Sequence, residues 1–198
     1  MTAFGRQLKN IILTASLRIF DVFLSIVGLL LALPVMLLIL VLSMVETGRP
    51  IFLQERVGRN KKPFILIKFR TMAPNTPSLA THLTSSRAIT PLGRFLRRAK
   101  LDELPQLWNV LIGEMSLVGP RPGLPNQPEL TEARERLGVL KVRPGITGLA
   151  QINGIDMSTP ELLAQTDARM IAEMSVRNYF KYIFLTVLGK GSGDRIKP

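Results

Sequence analysis

The longest hydrophobic run of the chain lies near its start and dominates the pattern. Between Val22 and Val45 only a few small or helix-breaking residues interrupt it: Ser25, Gly28, Pro34 and Ser43. At about 1.5 Å per residue, a straight helix over this run is long enough to cross a hydrocarbon core of about 30 Å. A helix that is apolar on every side would need a far larger soluble protein to bury it. The run therefore predicts a membrane helix.

Pro34 lies in the middle of this run and favours a kink, because proline removes one backbone hydrogen bond. Basic residues flank the run on both sides: Arg6, Lys9 and Arg18 precede it, and Arg49, Arg56, Arg59, Lys61 and Lys62 follow it. Since positive charge marks the cytoplasmic side, both ends are expected there. The pattern favours a re-entrant helix bent at Pro34 over a helix that spans the membrane. It divides the chain into a membrane segment, residues 1–48, and a domain on the cytoplasmic face, residues 49–198.

The segments next to the anchor carry weaker patterns. Met1 to Phe20 has apolar residues at helical spacing, which predicts either an interfacial helix or a solvated N-terminal helix. Two β-prone runs, Ile51–Gln54 and Phe64–Phe69, enclose a basic turn and predict a hairpin. The polar segment from Ala73 to Ser86 predicts a loop, in which His82 is a solvated residue rather than a catalytic one.

The remaining pattern is mostly helical. An amphipathic basic helix is predicted from Thr90 to Lys100, and Pro105 is well placed to open a second helix. The proline-rich segment after Met115 is predicted to be irregular, which puts Arg121 on a stiff loop. Further predictions are a surface helix over Glu129–Gly138, a turn, short strand and second turn over Arg143–Gly154, and a C-terminal helix over Val176–Gly189 that is either interfacial or part of the core. The fold class is therefore α+β and mostly helical.

Composition narrows the chemistry. The 198 residues carry a net charge of +12, which indicates a polyanionic partner such as nucleic acid, an anionic membrane or a phosphorylated small molecule. The chain has no cysteine, so disulfides, thiolate zinc sites and thiol nucleophiles are excluded. A single histidine rules out a histidine-based metal cluster.

Two adjacent carboxylates, Asp102 and Glu103, stand at the predicted junction of two helices within this basic region. They have three possible uses. They could cap a helix or pair with arginines, hold Mg²⁺ through one or two oxygens, or attack phosphorus to form an acyl-phosphate. Nearby cations, Arg121 on its loop and Lys68 or Arg70 on the hairpin, could neutralise a diphosphate. The residues alone indicate a membrane-surface enzyme that acts on phosphate esters.

Four motifs in order give the chain a resemblance to the bacterial sugar transferases known as monotopic phosphoglycosyl transferases, of the small, PglC-like type. The motifs are RIFDVFLSIVGLLLALPVMLLI, QERVGRNKKPFILIKFRTM, LDELPQLWNVLIGEMSLVGPRP and KVRPGITGLAQING. The resemblance implies transfer of a sugar-1-phosphate from a UDP-sugar to polyprenyl (undecaprenyl) phosphate, with release of UMP. It also implies Mg²⁺, a re-entrant helix broken at Pro34, and a location at the cytoplasmic face of the bacterial inner membrane.

The resemblance also implies roles for individual residues. Asp102 would be the nucleophile that carries a covalent phosphosugar in a ping-pong mechanism, with Glu103 as its partner and Mg²⁺ bound beside both. Arg121 would bind phosphate. The other substrate or phosphate positions carried over are Pro120, Pro122, Lys68, Arg70, Arg143 and Asp167.

The chain departs from the family pattern at three positions. Leu33 replaces the serine that often precedes the helix-breaking proline, Leu149 replaces a usual tryptophan, and Ile155 replaces an arginine. The last change puts a sugar or phosphate contact in doubt. The rival interpretation is a non-enzymatic basic protein that binds membranes or nucleic acid. The single tryptophan and two tyrosines make a poor platform for stacking bases, so no nucleic acid is expected.

Overall fold

The N-terminal segment forms one long helix in the computed structural model, which describes residues 3–74, 76 and 88–191. Helix α1, Ala3–Thr47, continues through Pro34 and joins the predicted N-terminal helix to the predicted membrane helix. Residues Ile11–Thr47 are long and apolar enough to cross a membrane by length and composition, and only 11% of the most apolar window is buried. Most of the predicted loop over Ala73–Ser86, including His82, lies outside the described residues.

The predicted hairpin is confirmed. Strand β1, Ile51–Val57, pairs antiparallel with β2, Pro63–Phe69, so that Ile51 faces Phe69 and Val57 faces Pro63. A 3₁₀ turn over Arg59–Lys61 connects the strands. Both strands are longer than predicted: β1 continues through Glu55, Arg56 and Val57, where exposed and buried positions still alternate, and β2 begins one residue earlier, at Pro63.

Two short helices frame the carboxylate pair, as the sequence predicts. Helix α2, Pro91–Ala99, begins at Thr90, whose side chain accepts a hydrogen bond from the Gly93 N–H. A 3₁₀ turn, Leu101–Glu103, follows, and then helix α3, Gln106–Ile112. Helix α3 ends at Ile112, because Gly113, at φ 92°, adopts the left-handed conformation.

The prediction that the whole segment after Met115 is irregular is wrong for its first three residues. They form strand β3, Ser116–Val118, which pairs in parallel with β4, Gly145–Thr147. The prolines begin only at Pro120, after the strand has ended. The remaining elements are helices α4, Pro128–Arg136; α5, Leu149–Ile152; α6, Pro160–Ala172; and α7, Val176–Val187.

Helix α1 contacts the rest of the protein on both sides of Pro34. Before it, Leu17 and Phe20 pack against a buried cluster that includes Tyr179 of α7. After it, Met36 and Ile39 pack against a second cluster, which contains Phe69 of β2 and Leu96 of α2. The hairpin, α3 and the parallel strands form a third cluster around Phe64, Leu66, Val110 and Met115. The 3₁₀ turn of the carboxylate pair contacts both α2 and β2.

Helix α7 was predicted to be either interfacial or part of the core, and it has both buried and exposed large side chains. Tyr179 and Tyr182 are buried in the core, whereas Phe184, Val187 and Leu188 are exposed. Other helices that contact α1 also carry large exposed apolar side chains, namely Phe95 on α2 and Trp108 and Ile112 on α3. Single exposed apolar residues are common, but a set on neighbouring helices beside an apolar helix is typical of a membrane-binding surface.

Candidate active site

The conformation of Lys100 places the carboxylate pair at the helix junction. Lys100 adopts φ 57°, which ends α2 and turns the chain into the 3₁₀ turn of Asp102 and Glu103. Its Nζ donates to the carbonyl of Lys190 at 2.7 Å, which ties this turn to the end of α7. Burial lowers the pKa of the Lys100 ammonium, and Glu103 opposes that shift. The backbone turn at Lys100 and its hydrogen bond to Lys190 together hold the junction in place.

The two carboxylates have different environments. Asp102 is buried with 7% of its surface exposed. Glu103 accepts a hydrogen bond from Arg121 Nη2 at 3.1 Å, and both side chains are mostly shielded from solvent. This ion pair joins two residues that the sequence places on separate segments. The structure therefore brings Asp102, Glu103 and Arg121 together.

The loop that carries Arg121 is held by its backbone carbonyls. Three consecutive carbonyls each accept a hydrogen bond: Pro120 from the Gly145 N–H at 2.8 Å, Arg121 from Arg134 Nη1 at 2.8 Å, and Pro122 from Arg56 Nη1 at 3.0 Å. Proline lacks a backbone donor, so these carbonyls need partners from elsewhere in the fold. The stiffness predicted from the prolines thus rests largely on two arginines, Arg56 and Arg134.

Asp167 lies behind this loop. It is fully buried, and Arg134 Nη2 donates to its Oδ2 at 2.7 Å while the same guanidinium holds the Arg121 carbonyl. Burial raises the pKa of the Asp167 carboxyl, although the charge of Arg134 opposes the shift. In this position Asp167 has no surface to offer a substrate. Its contacts indicate that it acts on the site through Arg134.

The hairpin cations occupy distinct places. Lys68 is buried on β2, the strand that contacts the turn of Asp102, and its Nζ lies 5.4 Å from the centroid of the Phe52 ring. Arg70 lies beyond the end of β2 and donates to the carbonyls of Arg49 and Ile51. The Arg70 guanidinium lies 5.3 Å from the same Phe52 ring, so the two cations are neighbours, and Lys68 is the one on the strand that contacts the turn of Asp102.

Arg143 lies apart from the carboxylate pair. Its Nε donates to the Gly113 carbonyl at 2.8 Å, just beyond the C-terminal end of α3, whereas Asp102 precedes the N-terminal end of the same helix. Burial and the charges of Arg18 and Arg59 lower the pKa of Arg143. The structure therefore does not bring Arg143 together with Asp102.

Three residues of this region were missed by sequence reasoning. Arg56 and Arg134 looked like surface charges, and no local signal in the sequence marks them as buried. Arg97, on α2, was treated only as part of a basic face. It donates to the Thr71 hydroxyl at 2.9 Å, and its buried Nη1 has no hydrogen-bond partner among the described residues. A buried charged donor without a partner is costly, so Arg97 is a further candidate to bind an anion.

The carboxylate pair suits one mode of metal binding. Within the described residues, no group of three or more His, Asp or Glu side chains could hold a metal ion. Mg²⁺, however, usually takes one or two protein carboxylates and completes its shell with water and substrate phosphates. The two carboxylates of Asp102 and Glu103 fit that donor set.

Comparison with known proteins identifies the family of the chain. The model of the bacterial sugar transferase family matches residues 13–190. Among curated proteins, the chain is 40% identical over 187 residues to an undecaprenyl-phosphate glucose phosphotransferase of Komagataeibacter xylinus, which covers 86% of this chain and 35% of that protein. It is 38% identical over 172 residues to the uncharacterized sugar transferase EpsL of Bacillus subtilis, covering 86% of this chain and 84% of EpsL.

A third relative is the UDP-glucose:undecaprenyl-phosphate glucose-1-phosphate transferase of Caulobacter vibrioides, 36% identical over 193 residues, which covers 92% of this chain and 72% of that protein. The chain thus spans about a third of the length of the Komagataeibacter protein and most of the length of the other two. The matched region includes the carboxylate pair, the Arg121 loop and Asp167. The chain belongs to the bacterial sugar transferase family.

Proposed function

We propose that the chain is a phosphoglycosyl transferase that moves a sugar-1-phosphate from a UDP-sugar to polyprenyl (undecaprenyl) phosphate and releases UMP. The observation that carries this proposal is the buried Asp102 beside the Glu103–Arg121 ion pair, in a member of the sugar transferase family. Two relatives support the substrates, since their names specify undecaprenyl phosphate and, for one of them, UDP-glucose.

The chemistry proceeds in two displacements. An Asp102 oxygen attacks the phosphorus that bears the sugar, and the bond from that phosphorus to the UMP oxygen breaks, so UMP leaves with the electron pair. A phosphate oxygen of the polyprenyl phosphate then attacks the same phosphorus and releases Asp102. Each step exchanges one P–O bond for another, so the enzyme ends unchanged.

The surrounding residues serve these steps by position and charge. Arg121 and Lys68 would neutralise the diphosphate as negative charge moves to the leaving UMP. Arg97, with its unpartnered buried Nη1, would bind a further phosphate oxygen. Asp102 and Glu103 would hold Mg²⁺, which when bound supplies additional positive charge at the diphosphate.

An Asp102→Asn variant tests the nucleophile. We expect it to release no UMP from any UDP-sugar and to form no phosphosugar adduct, because an amide oxygen is far less nucleophilic than a carboxylate. The adduct is detected by intact-protein mass spectrometry after a UDP-sugar is added without acceptor. Glu132→Gln is the matched control, since Glu132 is an exposed carboxylate on α4.

The outcomes separate the possible mechanisms. An adduct on the unaltered protein that is lost in Asp102→Asn supports covalent catalysis. Turnover without any adduct would favour direct attack by the acceptor with Asp102 as a base. Near-normal turnover in Asp102→Asn would remove Asp102 from the mechanism altogether.

We further propose that α1 enters the membrane from the cytoplasmic face and returns to it. The support is that elements of the same domain contact α1 near Leu17 and again at Glu46, whose Oε1 accepts a hydrogen bond from the Leu92 N–H at 3.1 Å. Along a straight helix these positions are about 43 Å apart, more than the hydrocarbon thickness. If α1 spanned the membrane, the domain that contacts both positions would have to lie on both sides of the bilayer.

Cysteine labelling tests this topology, because the natural chain has no cysteine. We expect Lys9→Cys and Arg49→Cys, on either side of the apolar segment, to react with a membrane-impermeant maleimide in inverted vesicles and not in intact spheroplasts. Glu132→Cys reports the face on which the domain lies. Reaction of Lys9→Cys and Arg49→Cys from opposite sides would show that α1 spans the membrane.

A further inference from the structure

A cavity of about 330 Å³ lies at the opposite end of α3 from the carboxylate pair. Its walls come from the N-terminal part of α1, from β3, from the 3₁₀ turn over Val139–Lys141 and from the end of α6. Helix α3 has seven residues, so the cavity and Asp102 are separated by about 10 Å along that helix alone. The lining does not include Asp102, Glu103 or Lys68. The cavity shares Pro120, on the loop of Arg121, with the candidate active site, but its charged residues are different ones.

Cations dominate the polar part of this cavity. Arg18, Arg59, Lys141 and Arg143 line it, against one carboxylate, Asp21. That carboxylate is already engaged, because its Oδ1 accepts hydrogen bonds from the Leu117 N–H at 2.8 Å, the Ser116 hydroxyl at 3.0 Å and the Tyr179 hydroxyl at 2.8 Å. Asp21 thus fastens α1 to β3 and α7 and leaves most of the cationic charge uncompensated.

Hydrogen bonds to backbone carbonyls hold two of these arginines in place, and each bond uses only the Nε donor of the guanidinium. Arg143 uses Nε for the Gly113 carbonyl, and Arg59 uses Nε for the Lys141 carbonyl at 3.0 Å. Within the described part of the chain, neither the Nη atoms of these two arginines nor Lys141 Nζ has a recorded acceptor. Burial and repulsion from Arg18 and Arg59 lower the pKa of Arg143, although the charge of Asp21 opposes this shift, so the cations of the cluster outweigh its one carboxylate.

The other wall of the cavity is apolar. Leu13 and Leu17 of α1 face Met170, Ile171 and Met174 of α6 and its end. A small hydrated anion gains nothing from such a wall, whereas an amphiphile places its hydrocarbon there and its phosphate on the cations. The α1 residues of this wall lie at the start of the segment that is long and apolar enough to enter a membrane. An acidic membrane lipid is the ligand whose charge, shape and location match all three observations.

We propose that this cavity binds an acidic phospholipid, with the headgroup phosphate on Arg59, Lys141 and Arg143 and the start of an acyl chain against Leu13, Leu17 and Met174. The bound lipid is not consumed, which distinguishes this role from that of a substrate. The lipid holds the part of α1 around Leu13 and Leu17 against β3 and α6 at the membrane surface.

The test uses the full-length protein in nanodiscs and an Arg59→Gln/Lys141→Gln variant. Both residues are exposed, so their loss is expected to leave the fold intact. The control variant, Arg177→Gln/Lys181→Gln, removes the same charge from exposed positions on α7. Native mass spectrometry measures how much phosphatidylglycerol and phosphatidylcholine each protein retains after detergent extraction, and thermal unfolding measures stabilisation by each lipid.

We expect the unaltered protein and the control variant to retain phosphatidylglycerol in preference to phosphatidylcholine and to be stabilised by it. Each cation near an acidic headgroup is worth roughly fivefold in affinity, so the cavity variant, which loses two, should bind phosphatidylglycerol roughly 25-fold more weakly. Its unfolding temperature in pure phosphatidylcholine should equal that of the unaltered protein. Equal retention by both variants would overturn the proposal. So would stabilisation by inorganic phosphate equal to that by phosphatidylglycerol, which would identify a site for soluble phosphate.

Discussion

The buried ion pair of Arg134 and Asp167 offers the sharpest test of how the fold positions the active site. The two side chains are 4% and 0% exposed, and the pair also holds the Arg121 carbonyl at 2.8 Å. Arg134→Met removes the cation and leaves the Asp167 carboxylate buried without a counter-ion. Removal of one member of a buried pair costs about 3–5 kcal/mol of folding free energy. Because domains are stable by only about 5–15 kcal/mol, this is a large fraction of the total.

The same helix supplies a matched control. Arg136 forms an ion pair with Glu161 at 2.6 Å, but these side chains are 62% and 55% exposed. Solvent screens such a pair, so its loss in Arg136→Met is expected to cost far less stability than the loss of Arg134. Denaturant unfolding in detergent, followed by tryptophan fluorescence of Trp108, gives both free energies. UMP release gives the activity.

The penalty in Arg134→Met should also depend on pH. Burial already raises the pKa of Asp167, and loss of Arg134 raises it further. The folded state then binds a proton more tightly than the unfolded state, so stability falls as pH rises above the unfolded pKa, about 3.9, towards the raised folded value. The deficit of Arg134→Met relative to the unaltered protein should therefore be smaller at about pH 5 than at about pH 8.

A second substitution separates stability from catalysis. Arg134→Met/Asp167→Asn removes the buried charge and should be more stable than Arg134→Met alone. The double variant still lacks the donor to the Arg121 carbonyl, so UMP release should stay low. If Arg134→Met were as stable and as active as Arg136→Met, or if the double variant regained activity, Arg134 would have no role in positioning the Arg121 loop.

Two further predictions concern the strands beneath this loop and the metal. Gly145→Ala should abolish folding or activity, because a Cβ there would clash with the backbone nitrogen of Gly119, directly after β3. Gly123→Ala should be tolerated, because its Cβ would come no closer than 3.5 Å to Leu130. Expression and UMP release of the two variants decide this. Removal of divalent cations with EDTA should stop UMP release, and Mg²⁺ should restore it; full activity after chelation would exclude the proposed metal.

The parts of the fold that the sequence predicts correctly are those in which short-range signals agree. Thr90 caps α2, Pro105 precedes α3, and the β-prone runs on either side of a basic turn pair as a hairpin. Each of these depends on residues within one or two turns of each other. The position of the carboxylate pair at a helix junction was predictable for this reason.

The parts that sequence reasoning missed depend on partners far along the chain. Strand β3 has only three residues, too few to show a period of two, and its partner β4 begins at Gly145. Arg134 lies on a helix that is polar enough to be predicted as a surface helix, and its partner Asp167 comes 33 residues later. A charged side chain is expected at the surface unless its partner is known, and a single sequence does not reveal that partner.

The positive charge of the chain also has a structural use that composition does not show. A net charge of +12 indicates a polyanionic partner, yet several arginines donate to backbone carbonyls of this protein: Arg18, Arg56, Arg59, Arg70, Arg134 and Arg143. Most of these carbonyls lie at helix ends, turns or the proline-rich loop, where regular backbone partners are absent. The forked guanidinium can satisfy a carbonyl and still present other donors outward. Arg59 and Arg143 can therefore each hold a backbone carbonyl beside the second cavity and still offer donors to a phosphate.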